Sequence, residues 1–367
     1  CENHPPSAPG EKVTEKWSFR RSNYFEFVGN ECRHVHEKVG ILDMSAFSKF
    51  MVEGHDSASW LDSLLANRIP RKIGRIGLCH LLTSLGGVRS EFTVYRLAED
   101  RFYLVSAGML ERHDWDYLTK ALPVDGRVQL RKVTSQYGVL VVAGPNSRSL
   151  LQRLTDRDLS NEAFPWLSGQ SVNIGAADAH AIRVNFVGEL GWELHHPIET
   201  QNYIFDRLFE AGEEFDLKPF GIRAMDSLRL EKSYRLIPRE LSVEYAALES
   251  GLERFVSWDK DDFVGKAGLD AWRNRGFQWQ FVTLEISGIN DVDARGSEPI
   301  YDGAELIGRC TSGGYGWRVG KSLALGMVHP DRAGVGSQWE VEILGERFSA
   351  TVIPESPFDP QHQRLRG

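Results

Sequence analysis

From about Asn23 to Val39 apolar residues recur every three or four positions (Val28, Cys32, Val35, Val39), the spacing of one buried helical stripe, and the following Gly40 predicts its stop. The segment Ile41 to Met51 comes next. A second helix is predicted to begin at Asp56 or Ser57 and to bury Trp60, Leu61, Leu64 and Leu65. The pattern then shortens to strands at Cys79–Thr83, Glu91–Leu97 and Arg101–Ser106, with a turn over Ser84 to Gly87. His113 to Ala121 reads as helix, Tyr137 to Ala143 as a strand covered on both faces, and Ser147 to Thr155 as the helix after it. Gln201 to Gly212 is amphipathic, with Ile204, Leu208 and Ala211 on one side. Beyond Gln280 the segments Phe281–Ile286, Ser322–Val328, Trp339–Leu344 and Arg347–Ile353 predict a small antiparallel barrel or sandwich.

The stretch His180 to Arg239 mixes apolar and ionic residues most closely. Ala181–Phe186 and Trp192–His195 flank Val187-Gly-Glu-Leu-Gly191, which predicts a hairpin with a glycine-bounded loop. Side chains alternate across a strand, so Glu193 faces away from Trp192 and Leu194, into water or into a polar pocket. Arg223 to Lys232 predicts a helix on which Asp226 and Arg229, three apart, are neighbours.

These segments carry a resemblance. Gly188-Glu-Leu-Gly-Trp-Glu193 resembles the "GYTGExGYE" element of the aminomethyltransferase (glycine-cleavage T-protein) family, and Asp226-Ser-Leu-Arg-Leu-Glu231 resembles its "D-x-LRLE" helix. In the same order along the chain, Gly40-Ile-Leu-Asp-Met-Ser45, Gly86-Gly-Val88 with Val94-Tyr95, Ala143-Gly-Pro-Asn146 and Thr311-Ser-Gly-Gly314 resemble further family motifs. In character the chain is similar to the folate-binding C-terminal half of dimethylglycine and sarcosine dehydrogenases. The resemblance implies an α+β, three-lobed folate-binding fold: a linker over residues 1–11, a two-lobed aminomethyltransferase-like domain over 12–278, and a C-terminal antiparallel β-barrel over 279–361.

It also implies a tetrahydrofolate site. Glu193 falls on the family's pterin-binding glutamate, Phe186 on its stacking tyrosine, Arg229 on the arginine of the helix motif and Ser106 on an asparagine that helps hold the pterin; Glu189 lies within the first motif. A carboxylate accepts pterin N–H groups, rings or aliphatic walls pack against the flat parts, and cations suit the glutamate tail. Tyr315 and Trp317, beside Gly313-Gly314, read either as a lid over the channel or as barrel core. Lys232, Arg235 and Arg239 read either as partners of the folate glutamates or as a solvated basic face. The chain departs from the family at Leu78, where a tyrosine is usual, and at Ser90, which replaces the first of two aspartates and leaves Glu91 from the second. Ser90 and Glu91 are the candidate catalytic positions, and adjacent strand residues face opposite sides.

The implied chemistry is transfer of one carbon from an oxidised N-methyl amine, such as dimethylglycine or sarcosine, to give 5,10-methylenetetrahydrofolate. No G-x-G-x-x-G fingerprint occurs in the 367 residues, so FAD is expected only on a partner dehydrogenase domain or subunit. Competing readings are a folate-binding scaffold or sensor without catalysis, consistent with Ser90, and an O- or S-demethylase whose product is 5-methyltetrahydrofolate.

Composition narrows the classes further. A net charge of -8 argues against a nucleic-acid partner, and no apolar run reaches the ~20 residues needed to cross a bilayer. Residues 1–16 lack the apolar core of a signal peptide, so a cytoplasmic location is expected; the start at Cys1 rather than Met is consistent with a piece of a longer polypeptide. Cys1, Cys32, Cys79 and Cys310 have no zinc spacing, and no metal is expected; Cys32 belongs to the helical stripe instead of forming a site with His34 and His36.

Overall fold

Tyr137–Ala143 is buried from Gly138 onward, which requires cover on both faces and puts it inside a sheet. In the computed structural model, which describes Lys16 and residues 18–367, it lies between Val39–Asp43 and Gly191–Pro197, antiparallel to both. Ala177–Ile182 and Gly169–Ile174 extend this six-stranded sheet on one side, and Leu217–Pro219 joins Val39–Asp43 in parallel on the other. One face packs Trp192 and Leu194 against Leu150, Leu151, Ile204 and Leu208 of the helices Ser147–Gln152 and Gln201–Gly212. The opposite face, through Val141 and Ala143, receives Val28, Cys32 and Val35 of the helix Phe25–Glu37 and Ala224 and Leu228 of Ile222–Leu230. Cys32 is therefore core, as its stripe predicts.

The second lobe is a five-stranded sheet in the order Ile76–Leu82, Val88–Ala98, Arg101–Ser106, Ser48–Glu53, Gln129–Lys132. Phe50, Val52, Phe92, Val94, Phe102 and Leu104 face the helices Ser57–Leu64 and Glu111–Lys120. Met51, Tyr95, Tyr103 and Val105, on the alternate positions, turn to Tyr137, Ile182 and Val184 of the first lobe. Two sheets thus meet face to face, and the third lobe, a closed barrel of six strands from Gln280 to Ile353, stands against them.

Three local expectations change. Ile41 to Met51 is two strands, Val39–Asp43 and Ser48–Glu53, one in each sheet. The helix before them runs straight into strand, and Gly40 is required by packing: a Cβ there would lie 2.6 Å from Phe220 Cδ1. The hairpin partner of Gly191–Pro197 is Ala177–Ile182, so residues 183–190 are an irregular loop rather than strand and tight turn. In the barrel, Pro299–Asp302 and the long strand Glu305–Gly316 were not legible as alternating segments, because Gly308, Gly313, Gly314 and Gly316 interrupt the pattern. The expected linker over residues 1–11 lies outside the described residues.

The lobes are joined by buried charge. Arg318 of the barrel, 1% exposed, pairs with Glu231 at the end of the Ile222–Leu230 helix and with Glu189 of the 183–190 loop at 2.9 Å. Glu231 also accepts the backbone N–H of Arg318 at 2.6 Å and of Val319 at 3.2 Å. Arg364, from the segment after the barrel, closes on Glu189 at 2.6 Å and on the carbonyl of His36 at 2.6 Å. Replacing Arg318 by Met removes the only cation paired with buried Glu231 among the described residues and one of the three partners of Glu189, and chemical denaturation is expected to show a loss of about 3–5 kcal/mol. Arg318→Lys should recover only part of it, because an ammonium cannot reproduce the planar fork.

Candidate functional site

Glu193 and His195 are two apart on one strand and so share a face, the one turned away from Trp192 and Leu194. His195 Nε2 lies 3.1 Å from Glu193 Oε2, and Tyr103 Oη, reaching across from the second sheet, lies 3.2 Å from His195 Nδ1. With a neutral imidazole one arrangement satisfies both contacts: Nε2–H donates to the carboxylate and the Tyr103 hydroxyl donates to Nδ1. Burial pushes the Tyr103 hydroxyl well above its usual pKa, which keeps it a donor. The Glu193 carboxylate is thus fixed through one oxygen. Among the described residues no group donates to the other, Oε1.

The 183–190 loop sets the wall beside it. Asn185 closes the loop on itself: its side-chain oxygen accepts the N–H groups of Val187 and Gly188 at 3.0 and 3.1 Å, and its amide donates to the carbonyl of Glu189 at 2.9 Å. Gly188 takes φ +76°, and a Cβ there would strike Lys232 Cγ at 2.6 Å, so glycine is demanded twice. The outcome is a half-buried Phe186 whose ring packs 5.6 Å from that of Tyr234. The Tyr234 carbonyl accepts from Arg229 at 3.0 Å, which ties Phe186 to the arginine helix.

Arg229 is 1% exposed. Its other donors go to Asp226 at 2.7 Å and Ser312 Oγ at 2.9 Å, with Glu240 3.5 Å away. It holds helix, loop and barrel in place, with its donors committed to protein. Glu189 is likewise consumed by His36, Arg318 and Arg364. Tyr315 stands apart, in a cluster with Phe25 and Trp317.

Strand alternation separates Ser90 from Glu91. Ser90 follows the parity of Phe92 and Val94, and Ser106 that of Leu104 and Phe102, so both face the helix layer rather than the meeting surface of the two sheets. There Ser106 Oγ donates to Asp114 at 2.7 Å. Asp114, at the start of the Glu111–Lys120 helix, is wholly buried, and burial raises its pKa against the pull of Ser106. Glu91 shares its side of the strand with Tyr95, which pairs with Tyr103, and its side chain is 26% exposed. His80, its direct partner on the neighbouring strand, reaches Glu91 Oε2 at 2.9 Å and has a buried Nδ1 with no hydrogen-bond partner. Ser90 and Ser106 thus lie on the helix-facing side of the second sheet and Glu91 on its other side, without any bulge at Glu91 itself.

Sequence reasoning passed over Tyr103, His195, Asn185 and Asp114. A histidine two residues after Glu193 was a usable signal; Tyr103, on a distant strand, offered none.

Residues 7–260 match the family model of the GCVT N-terminal domain, and residues 280–359 that of the glycine cleavage T-protein C-terminal barrel domain. The chain belongs to the glycine cleavage T-protein family. This is an aminomethyltransferase family of enzymes, as the motifs implied. Within it, the chain is 40% identical over 362 residues to mitochondrial dimethylglycine dehydrogenase of Mus musculus, covering 98% of this chain and 41% of that protein. It is 30% identical over 347 residues to an aminomethyltransferase of Desulfitobacterium hafniense (strain DSM 10664 / DCB-2), covering 94% of this chain and 93% of that one. The chain thus spans about two fifths of the dehydrogenase and nearly all of the aminomethyltransferase. The glycine cleavage system aminomethyltransferase T from Bartonella henselae superimposes with a TM-score of 0.82 at 22% identity over 95% of both chains, which shows the fold. Among the described residues no helix is long and apolar enough to cross a membrane.

On the cleft-facing side of the second sheet this T-protein family member buries Lys49, whose ammonium donates to the carbonyls of Ser45 and Thr134 at 2.8 and 3.0 Å. Burial lowers its pKa to about 8 from 10.5. Between those values the unfolded chain binds the proton more fully than the folded one, so folding stability rises with pH across that window. Urea midpoints taken from pH 7 to pH 10 should show wild type gaining on Lys49→Met as pH rises. A constant difference would contradict it.

Proposed function

We propose that this chain is a tetrahydrofolate-dependent one-carbon transfer module that captures, as 5,10-methylenetetrahydrofolate, the carbon released by oxidative demethylation of an N-methyl amine such as dimethylglycine or sarcosine. The observation that carries the reading is the Glu193 carboxylate, oriented through one oxygen by His195 and Tyr103 and left with Oε1 to accept from a ligand. A buried carboxylate with one unspent acceptor beside an aromatic wall suits a flat ring bearing N–H donors. Membership of the T-protein family and the likeness to dimethylglycine dehydrogenase support folate as that ligand.

Tetrahydrofolate, when bound, supplies the pair of nitrogens that accept the carbon. The chain's own residues do the rest. Glu193 holds the pterin edge, Phe186 packs against its plane, and the Tyr234–Arg229 contact keeps Phe186 from swinging out. Glu91, held by His80 on the facing sheet, takes up and passes on the proton given up when the carbon is bound. The meeting of the two sheets excludes water, which keeps the reactive carbon from being lost as formaldehyde. Because Ser90 faces the helix layer, its lack of a carboxyl group removes nothing from the cleft, which favours catalysis over a binding-only scaffold. Oxidation of the amine falls to a flavin-dependent dehydrogenase domain or a separate subunit, in line with the share of the dehydrogenase that this chain spans.

Calorimetric titration with tetrahydrofolate should give binding that Glu193→Gln weakens by about 10- to 100-fold, the worth of a hydrogen bond to a charged group. Glu91→Gln should leave binding intact and slow methylenetetrahydrofolate formation from formaldehyde or the oxidised amine by about 100-fold or more. No binding at high-micromolar ligand would sink the proposal.

A further inference from the structure

His80 and Glu91 stand directly opposite one another on the paired strands Ile76–Leu82 and Val88–Ala98, so alternation sends both side chains to the same side of the sheet. The His80 side chain is 1% exposed, and its Nε2 lies 2.9 Å from Glu91 Oε2. Among the described residues no other hydrogen bond or ion pair reaches the Glu91 carboxylate, which leaves Oε1 open. Each of the two carboxylates used in the proposed function thus rests one oxygen on a histidine Nε2. The far side of the ring differs. His195 has Tyr103 Oη 3.2 Å from its Nδ1, whereas the Nδ1 of His80 is buried with no hydrogen-bond partner. The His80 ring instead meets Phe255 edge-on, centroids 5.5 Å apart, and Phe255 packs on the apolar cluster that includes Ala66, Leu82 and Leu252.

At 2.9 Å a hydrogen must lie between Nε2 and Oε2. If it belonged to the carboxyl group, the neutral ring would carry its own hydrogen on Nδ1, a buried donor with nothing to receive it. If it belongs to Nε2, Nδ1 is bare and every donor of the pair is satisfied. The second arrangement is the one the surroundings permit. A second proton on the ring meets the same obstacle, because an imidazolium donates from both nitrogens. Glu91 Oε2 is therefore occupied as an acceptor, and a proton arriving at this carboxylate has one place to go, Oε1.

We propose that His80 is a positioning residue: it donates Nε2–H to Glu91 Oε2 and thereby confines the proton exchanged during one-carbon transfer to Glu91 Oε1, without carrying that proton itself. In the exchange an N–H bond of the bound reactants breaks, its electron pair stays on nitrogen, and the Oε1–H bond forms. Oε1 later returns the proton to the nitrogen or oxygen whose bond to the carbon breaks and which keeps that bond's electrons. The inference rests on the folate reading above and adds to it the working atom of Glu91 and the group that selects it.

Two measurements on the full chain test it, one of which needs no folate. In protein carrying isotope-labelled histidine ring nitrogens, the His80 signals are assigned by their absence from His80→Gln. Proton–nitrogen correlation spectra at neutral pH should show hydrogen on Nε2 and a bare Nδ1; hydrogen on Nδ1, alone or together with Nε2, overturns the inference. In methylenetetrahydrofolate formation from formaldehyde, His80→Leu should lower kcat by about 10- to 100-fold, the worth of a hydrogen bond to a charged group, and leave the calorimetric Kd for tetrahydrofolate unchanged. His80→Gln, whose amide can donate in place of Nε2–H, should restore kcat to within about threefold of wild type. A His80→Leu rate equal to wild type overturns the inference, and so does a His80→Gln rate as low as that of His80→Leu, which would make the imidazole itself the proton carrier. If His80→Leu does not fold, the wild-type ring signals and the His80→Gln rate decide. If tetrahydrofolate gives no heat of binding with wild type, the folate reading falls, and the ring signals alone decide the His80–Glu91 pair.

Discussion

A guanidinium shut away from water must find its partners in the protein, and at Arg318 those partners come from different parts of the fold. Glu231 ends the helix that separates the first lobe from the barrel, and Glu189 belongs to the loop whose other residues include Phe186. The pairs are worth little as net stabilisation, because both ions give up hydration. Their worth is in register: both oxygens of Glu189 are engaged, which pins the loop that carries Phe186. Arg229 repeats the device a few residues away with Asp226, Glu240 and Ser312. The charged residues of the most ionic stretch of the sequence are in large part scaffold.

Upon that scaffold the two sheets bring polar groups together that lie far apart in sequence. Tyr103 and His195 are neighbours only because the Arg101–Ser106 and Gly191–Pro197 strands face one another across the lobes. The consequence is a carboxylate with fixed orientation in a mainly apolar surface made of Met51, Tyr95, Val105 and Ile182. Preorganised acceptors of this kind need little rearrangement when a ligand arrives.

Much of this was legible in the residues. Periodicity located most helices and strands, since burial of one stripe or one face leaves a direct mark, as at Val28, Cys32 and Val35 or along Tyr137–Ala143. Motif order gave the family and the barrel. What failed to show was whatever depends on partners distant in sequence. Glu189 and Arg229 sit in the motifs that carry the resemblance, yet which side of a wall each serves depends on Arg318, Arg364 and Glu240, none of them near in the chain. Residues 183–186 looked like the end of a strand because Val184 and Phe186 are β-formers; Asn185, by bonding its own neighbours, overrides that preference.

The dipeptide Ser90-Glu91 has a consequence of its own. One strand of alternating side chains gives its two adjacent members to two different environments, the first to the packed layer beneath, the second to the surface where the lobes meet. Substitutions at the first answer to shape and to the buried acid nearby, and those at the second to whatever occupies the gap. The two positions therefore answer to separate constraints, and an acidic pair can lose one member without the other having to compensate.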